Sequence, residues 1–155
     1  MITLKEGDKA PQFTGFDQNG EPFKLSDLRA KKVVLYFYPQ DDTPTCTVQA
    51  CNLRDNYSIL ISKGFEVIGV SPDEAPKHKK FEQKFNLPFR LIADPTHKII
   101  DKYGVWGEKQ LYGRKYMGLY RTTFLINEKG VIAKVFLRPK NKQHAEEIAA
   151  LDFGR

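Results

Sequence analysis

The stretch KVVLYFYPQDDTPTCTVQAC, Lys32 to Cys51, decides the fold. Its opening, Lys32–Tyr38, is a dense apolar run of β-branched and aromatic residues and predicts a buried central strand. Pro39 ends that run. Thr43 is a good N-cap, and Pro44 suits the first position of a helix. The pattern predicts a helix from Pro44 to Lys63, closed by Gly64. A buried strand that feeds a helix is the first half of a βα unit.

Working outward, the elements alternate. FEVIGVS (Phe65–Ser71) reads as a second buried strand, and Glu74–Phe85 has helical spacing at Phe81 and Phe85. FRLIA (Phe89–Ala93) reads as a short strand. Asp94-Pro95 reads as a cap and first-turn proline that open a helix ending at Gly104. Upstream, QFTGF and PFKLS flank Gln18-Asn19-Gly20 and read as a hairpin with an Asn-Gly turn. Downstream, TTFLIN and VIAKVFL flank Glu128-Lys129-Gly130 as a second hairpin, and a last helix runs over Lys142–Leu151. Gly104–Gly118 reads as a long loop at the mouth of the site, with Trp106 a packed or half-exposed loop aromatic. Strands separated by helices imply βαβ units, a largely parallel sheet and a late antiparallel edge. The fold class expected is α/β and thioredoxin-like: a mixed central sheet, helices on both faces and an N-terminal hairpin extension. A flavodoxin-like strand order ranks second.

The chain has 155 residues, 41% hydrophobic and 12% aromatic, and is expected to form a single domain over 1–155. No apolar run approaches the ~20 residues of a membrane helix. The start, MITLKEGDKAPQF, lacks a basic-then-apolar signal pattern, so the cytoplasm is expected. Two cysteines are too few for a secreted disulfide scaffold, and cytosolic thiols stay reduced unless they are catalytic or redox-sensing. The formal net charge of +6 raises nucleic-acid and membrane readings. The cations are spread along the chain without a groove-binding motif, so a solvated basic surface is expected, with no nucleic-acid and no membrane partner.

Both cysteines lie in the predicted helix. Cys46 is its third residue, among the unpaired first-turn N–H groups and at the positive end of the helix dipole, which favours a thiolate. It also lies beyond the C-terminal end of the Lys32–Tyr38 strand, where α/β folds bind ligands. Cys46, Ala50, Leu53, Tyr57 and Leu60 share one stripe. Cys51 is about 140° round from Cys46 at 100° per residue. In an ideal helix their Cα atoms are roughly 8.7 Å apart, whereas a disulfide needs less than ~7 Å. Either the thiols never pair or the helix must partly unwind. Two unrelated thiols, one of them packed as a small hydrophobe, is the plain alternative. Zinc is disfavoured, since Cx4C is not a common ligand pairing and His78, His97 and His144 are scattered and expected at the surface. Neither metal nor cofactor is expected. The CxxC of a dithiol reductase is absent.

The segment YPQDDTPTCTVQACNLRDN resembles the active-site segment of peroxiredoxins, in particular the bacterioferritin comigratory protein (BCP/PrxQ) group. Pro39, Thr43 and Cys46 meet the family pattern PxxxTxxC. GDKAPQFTGFDQNGEPFKLSDL, YGVWGEKQLYGRKYMG and YRTTFLINEKG resemble the same group in the same order, so the likeness covers nearly the whole chain. The resemblance implies a thiol peroxidase for hydrogen peroxide and organic hydroperoxides. Cys46 would be the peroxidatic cysteine, passing through a sulfenic acid. Cys51 would be the resolving cysteine, giving an intramolecular Cys46–Cys51 disulfide reduced by thioredoxin or a similar dithiol protein. Thr43 would hydrogen-bond thiolate and peroxide, Arg121 would hold the thiolate charge and polarise the substrate, and Pro39 would shield the sulfur from water. It further implies a monomer or weak dimer. Thr43 also has a structural role as N-cap, and Pro39 one as strand terminator. YRTTFLI has Arg121 where dithiol reductases of this fold place a cis-proline, which suits a peroxide site. A thiol–disulfide reductase and a non-enzymatic basic binding module are the competing classes. Disulfide reduction without peroxide would reveal the first, and salt-dependent retention on nucleic acid the second.

Overall fold

The computed structural model describes residues 2–151. Its strands are β1 (Thr14–Phe16), β2 (Pro22–Lys24), β3 (Lys32–Phe37), β4 (Phe65–Ser71), β5 (Arg90–Ala93), β6 (Trp106–Leu111), β7 (Arg114–Leu119), β8 (Thr122–Ile126) and β9 (Ile132–Phe136). Its helices are α1 (Pro44–Asp55), α2 (Tyr57–Ser62), α3 (Ala75–Phe85), α4 (Lys98–Tyr103) and α5 (His144–Ala149). Seven strands form one sheet in the order β2-β1-β5-β4-β3-β8-β9, and β6 and β7 pair separately. Among the described residues no helix is long and apolar enough to cross a membrane.

β3 lies inside the sheet and is buried on both faces. Alternation sends Val33, Leu35 and Phe37 to one core, with Ile99, Ile100 and Tyr103 of α4 and the N-terminal Phe13 and Phe23. It sends Val34 and Tyr36 to the other, joined by Tyr38 and by Cys46, Ala50 and Leu53 of α1, Leu60 of α2, Phe81 of α3, and Ala145 and Ile148 of α5. The expected stripe on α1 and α2 is therefore the face that packs on the sheet. The two hairpins form where expected, β1–β2 with Gly20 at φ +75° and β8–β9 with Gly130 at φ +77°.

Four expectations are corrected. The sheet is mixed, as the fold class anticipated, but not largely parallel: among the described residues β3–β4 and β4–β5 alone run parallel. Neither α4 nor the β6–β7 ribbon carries the chain back to the far end of the sheet. β8 therefore enters where β5 leaves and pairs antiparallel with β3, Phe37 opposite Thr122. The predicted Pro44–Lys63 helix is broken at Asn56 (φ −110°, ψ 13°). The Asn56 side chain donates to the carbonyl of Asn52 (2.9 Å) and to Glu146 (3.0 Å), the competition with the helical ladder for which asparagine is known. Pro95 is not a first-turn proline. α4 starts at Lys98, and Asp94 caps it by accepting from the N–H groups of Ile99 (3.0 Å) and Ile100 (2.7 Å). The Gly104–Gly118 segment is not a loop but the β6–β7 ribbon. Its turn, Tyr112-Gly113, has both residues at positive φ (51° and 77°), the two-residue geometry that asparagine or glycine usually signals.

Candidate active site

The chain between β3 and α1 is fixed from below. Asp41, buried, accepts a hydrogen bond from the Tyr38 hydroxyl (2.6 Å), lies 2.6 Å from His78 Nδ1, and through its own N–H donates to Asp73 (2.7 Å). The second ring nitrogen of His78 faces the Ile92 carbonyl at 3.1 Å. A carbonyl only accepts, so Nε2 carries a proton. Burial, with the Asp41 charge beside it, pushes the Tyr38 phenol well above its usual range. The Asp41, Asp73 and His78 donor atoms lie within 4.8 Å of one another. They act as a hydrogen-bond network, with Lys77 paired to Asp73 at 3.0 Å, not as an open metal cradle.

From this anchor the chain turns through Asp42 (φ +60°) into Thr43, the N-cap, and Pro44. Thr43 occupies the expected position, but its hydroxyl donates to the Gln40 carbonyl (3.1 Å) and makes no cap bond to the helix. Pro39 is half-buried on the same connection. Cys46 follows in the first turn of α1, only 1% exposed. Arg121, just ahead of β8, reaches across because β8 and β3 are neighbours with their adjoining ends level. Its Nη2 donates to Cys46 Sγ at 3.0 Å and its Nη1 to Gln49 Oε1 at 3.2 Å. The sulfur thus sits at the head of a helix beside a guanidinium, a setting that favours negative charge on an oxygen brought against it. Cys51 is half-buried further along the same helix, and both thiols are free.

Of the five residues singled out in the sequence, the structure joins Cys46 and Arg121 by a direct contact. Thr43 and Pro39 lie on the loop that leads into the same turn, and Cys51 lies one and a half turns away. The sequence reading missed Gln49. It is fully buried one turn after Cys46, holds Arg121, and its Nε2 has no partner among the described residues. A polar residue on the apolar stripe of a helix was the available signal. It also placed His78 and His144 at the surface, whereas both are fully buried. His144 Nε2 faces Thr123 Oγ1 at 2.8 Å and Nδ1 faces Glu147 at 3.1 Å. Burial lowers its pKa despite that carboxylate. Single polar residues buried by hydrogen bonding leave no periodic trace. His97, half-buried, packs on Trp106 with ring centroids 4.5 Å apart, and Trp106 leans half-buried against the core.

A family model described as the AhpC/TSA family matches residues 6–135. Peroxiredoxin Bcp of Bacillus subtilis is 44% identical over 146 residues, covering 94% of this chain and 93% of that one. Peroxiredoxin Bcp of Escherichia coli is 43% identical over 148 residues, covering 96% and 95%. The crystal structure of peroxidoxin BcpB from Mycobacterium tuberculosis superposes with a TM-score of 0.84 at 31% identity, covering 96% of each chain. The thioredoxin-like sheet agrees with that likeness, and the chain belongs to the AhpC/TSA family, among the peroxiredoxins of the Bcp group.

Proposed function

We propose that this chain is a thiol peroxidase that reduces hydrogen peroxide and organic hydroperoxides by way of Cys46. The observation that carries it is the 3.0 Å contact between the Arg121 guanidinium and Cys46 Sγ at the head of α1. The Cys46 thiolate attacks one peroxide oxygen and the O–O bond breaks. The departing oxygen takes a proton and leaves as water or an alcohol, and Cys46 becomes a sulfenic acid. Arg121 and the first-turn N–H groups face the charge that builds on the leaving oxygen. Thr43 spends its proton on the Gln40 carbonyl, so its lone pairs can accept from the peroxide O–H. Pro39 helps keep water from the sulfur.

Cys51 is the resolving thiol. Its sulfur attacks the sulfenic sulfur and displaces water, giving the Cys46–Cys51 disulfide. An intact α1 holds the two Cα atoms too far apart for that bond, so the helix opens between them. A dithiol protein such as thioredoxin then restores both thiols and is itself oxidised. Two cysteines are too few for a secreted disulfide scaffold, which supports a cytoplasmic setting. Both hydrophobic cores lie on one sheet, which supports a single folded unit. It would act as a monomer or weak dimer.

Cys46→Ser is expected to abolish peroxide consumption. Cys51→Ser is expected to retain the first step, with a sulfenic acid that a carbon-nucleophile probe traps, and to lose turnover with a dithiol reductant. Intact mass after equimolar peroxide should show the loss of two hydrogens, mapped to a peptide linking Cys46 and Cys51. Full turnover by Cys46→Ser would sink the proposal.

A further inference from the structure

The β6–β7 ribbon stands outside the main sheet. Its base is fixed: Leu119 is buried, Trp106 leans on the core, and the Tyr120 hydroxyl donates to the Glu108 carbonyl (2.7 Å). Its outer half is not. Tyr112 is 97% exposed, Met117 59%, Leu111 56% and Tyr116 45%. Strand alternation with the observed register puts Lys109, Leu111, Arg114 and Tyr116 on one face of the ribbon, and Glu108, Gln110, Lys115 and Met117 on the other. Tyr112 stands at the very end.

The turn itself is unusual. Tyr112 adopts φ +51°. Asparagine, aspartate or glycine takes that conformation readily, whereas a bulky aromatic costs about 1–3 kcal/mol there. Among the described residues its ring, almost wholly exposed, has no packing partner that would offset this. Behind it stand two cations, Arg114 and Lys115, neither in an ion pair among the described residues.

We propose that the tip of β6–β7 docks the protein peripherally on an anionic lipid bilayer. Exposed apolar groups occur on both faces and at the end of the ribbon. A flat protein surface would cover one face and leave the other in water. A fluid interface surrounds a tip from every side. The cations sit one and two residues behind the turn, within about 7 Å of it at ~3.4 Å per residue. That is the depth of the headgroups when an apolar tip enters the ~5–10 Å typical of interfacial binding. The chain's net charge of +6 adds a long-range attraction of the same sign. This departs from the sequence-based expectation of no membrane partner, and involves no spanning segment. It stands independently of the thiol chemistry at Cys46.

The test is flotation of the full chain with vesicles of phosphatidylglycerol and phosphatidylcholine in equal parts, against phosphatidylcholine alone, at low ionic strength. Binding to the anionic vesicles only is expected. Arg114→Ala and Lys115→Ala should each weaken it about fivefold, equivalent to the ~1 kcal/mol of one surface-held cation. Tyr112→Asn should weaken it further while raising thermal stability, because asparagine relaxes the turn; a purely structural tyrosine would not separate the two readouts. Peroxide consumption in solution should be unchanged in all three variants. Failure of the native chain to bind anionic vesicles overturns the proposal. So does binding indifferent to these substitutions, which would mean that overall positive charge alone drives it. Loss of reductant-linked turnover in the variants without any vesicle binding would equally overturn it, pointing to a protein partner.

Discussion

Gln49→Met separates the two duties of a buried amide. The substitution keeps the length and volume of a side chain with no exposure at all. It removes the acceptor that holds Arg121 Nη1 at 3.2 Å. A hydrogen bond to a charged group is worth about 1.5–3 kcal/mol, and an orphaned buried donor costs about 1–3 kcal/mol. The native Gln49 makes the first and suffers the second, since its Nε2 has no partner. The two nearly cancel, so folding stability should move by less than about 1 kcal/mol. Activity has no such offset. Arg121 loses one of its two anchors and its second nitrogen, the one on Cys46, becomes free to wander. If the whole bond serves to place the guanidinium, the barrier to peroxide attack rises by the same ~1.5–3 kcal/mol, about a ten- to 150-fold loss in kcat/KM. The assay is rapid-mixing reduction of peroxide by prereduced protein, beside urea unfolding. A variant with native stability and a kcat/KM within about twofold of native would refute the reasoning, since even the weakest bond considered predicts a larger change.

Two further outcomes are expected. His144 is held neutral by burial, its folded pKa below the ordinary value of about 6.5. Above that pH both states are neutral and stability is full; below it the unfolded chain takes up a proton that the folded chain refuses. Urea midpoints should therefore fall as pH drops from about 7.5 to 5.5, and His144→Gln should flatten that slope; an unchanged slope would refute the assignment. Gly69→Ala puts a methyl 2.9 Å from Tyr36 Cζ and 3.0 Å from a Leu91 methyl in the middle of the sheet. Thermal melts should show a loss of about 1–3 kcal/mol, the usual cost of overpacking, and an unaltered melting temperature would show that the core yields there.

Most of the architecture could be read from hydrophobic periodicity, because β3, β4 and β8 are buried on both faces and are correspondingly rich in apolar and β-branched residues. The position of Cys46 in the first turn of α1 could be read from Thr43 and Pro44, which mark where the helix begins. What periodicity could not show were the places where a side chain overrides it. Asn56 ends a helix whose apolar stripe continues into α2. Tyr112 sits in a turn that its residue type does not announce. Gln49, His78 and His144 are buried through specific hydrogen bonds, and the partners of the two histidines in particular, Asp41 and Thr123, lie 37 and 21 residues away. Arg121 could be placed near Cys46 only by knowing that β8 lies beside β3, a fact of topology that no local pattern contains.

The two ends of α1 are held by different parts of the molecule, and this sets how far the helix can move. Upstream, Asp41 is bonded to α3 through His78 and to the β4–α3 connection through Asp73, which in turn accepts from Ser71 at the end of β4. Downstream, Asn52 donates to the Lys142 carbonyl (3.0 Å) and accepts from the Ala145 N–H (2.7 Å), riveting the helix to α5. Asn52 is the residue after Cys51. On the proposed chemistry the resolving thiol is therefore the stationary partner, and the travel falls on the stretch from Asp42 to Ala50, with Cys46 at its middle. Oxidation would rearrange one short span between two fixed posts, and the sheet and both cores would keep their places while it happened.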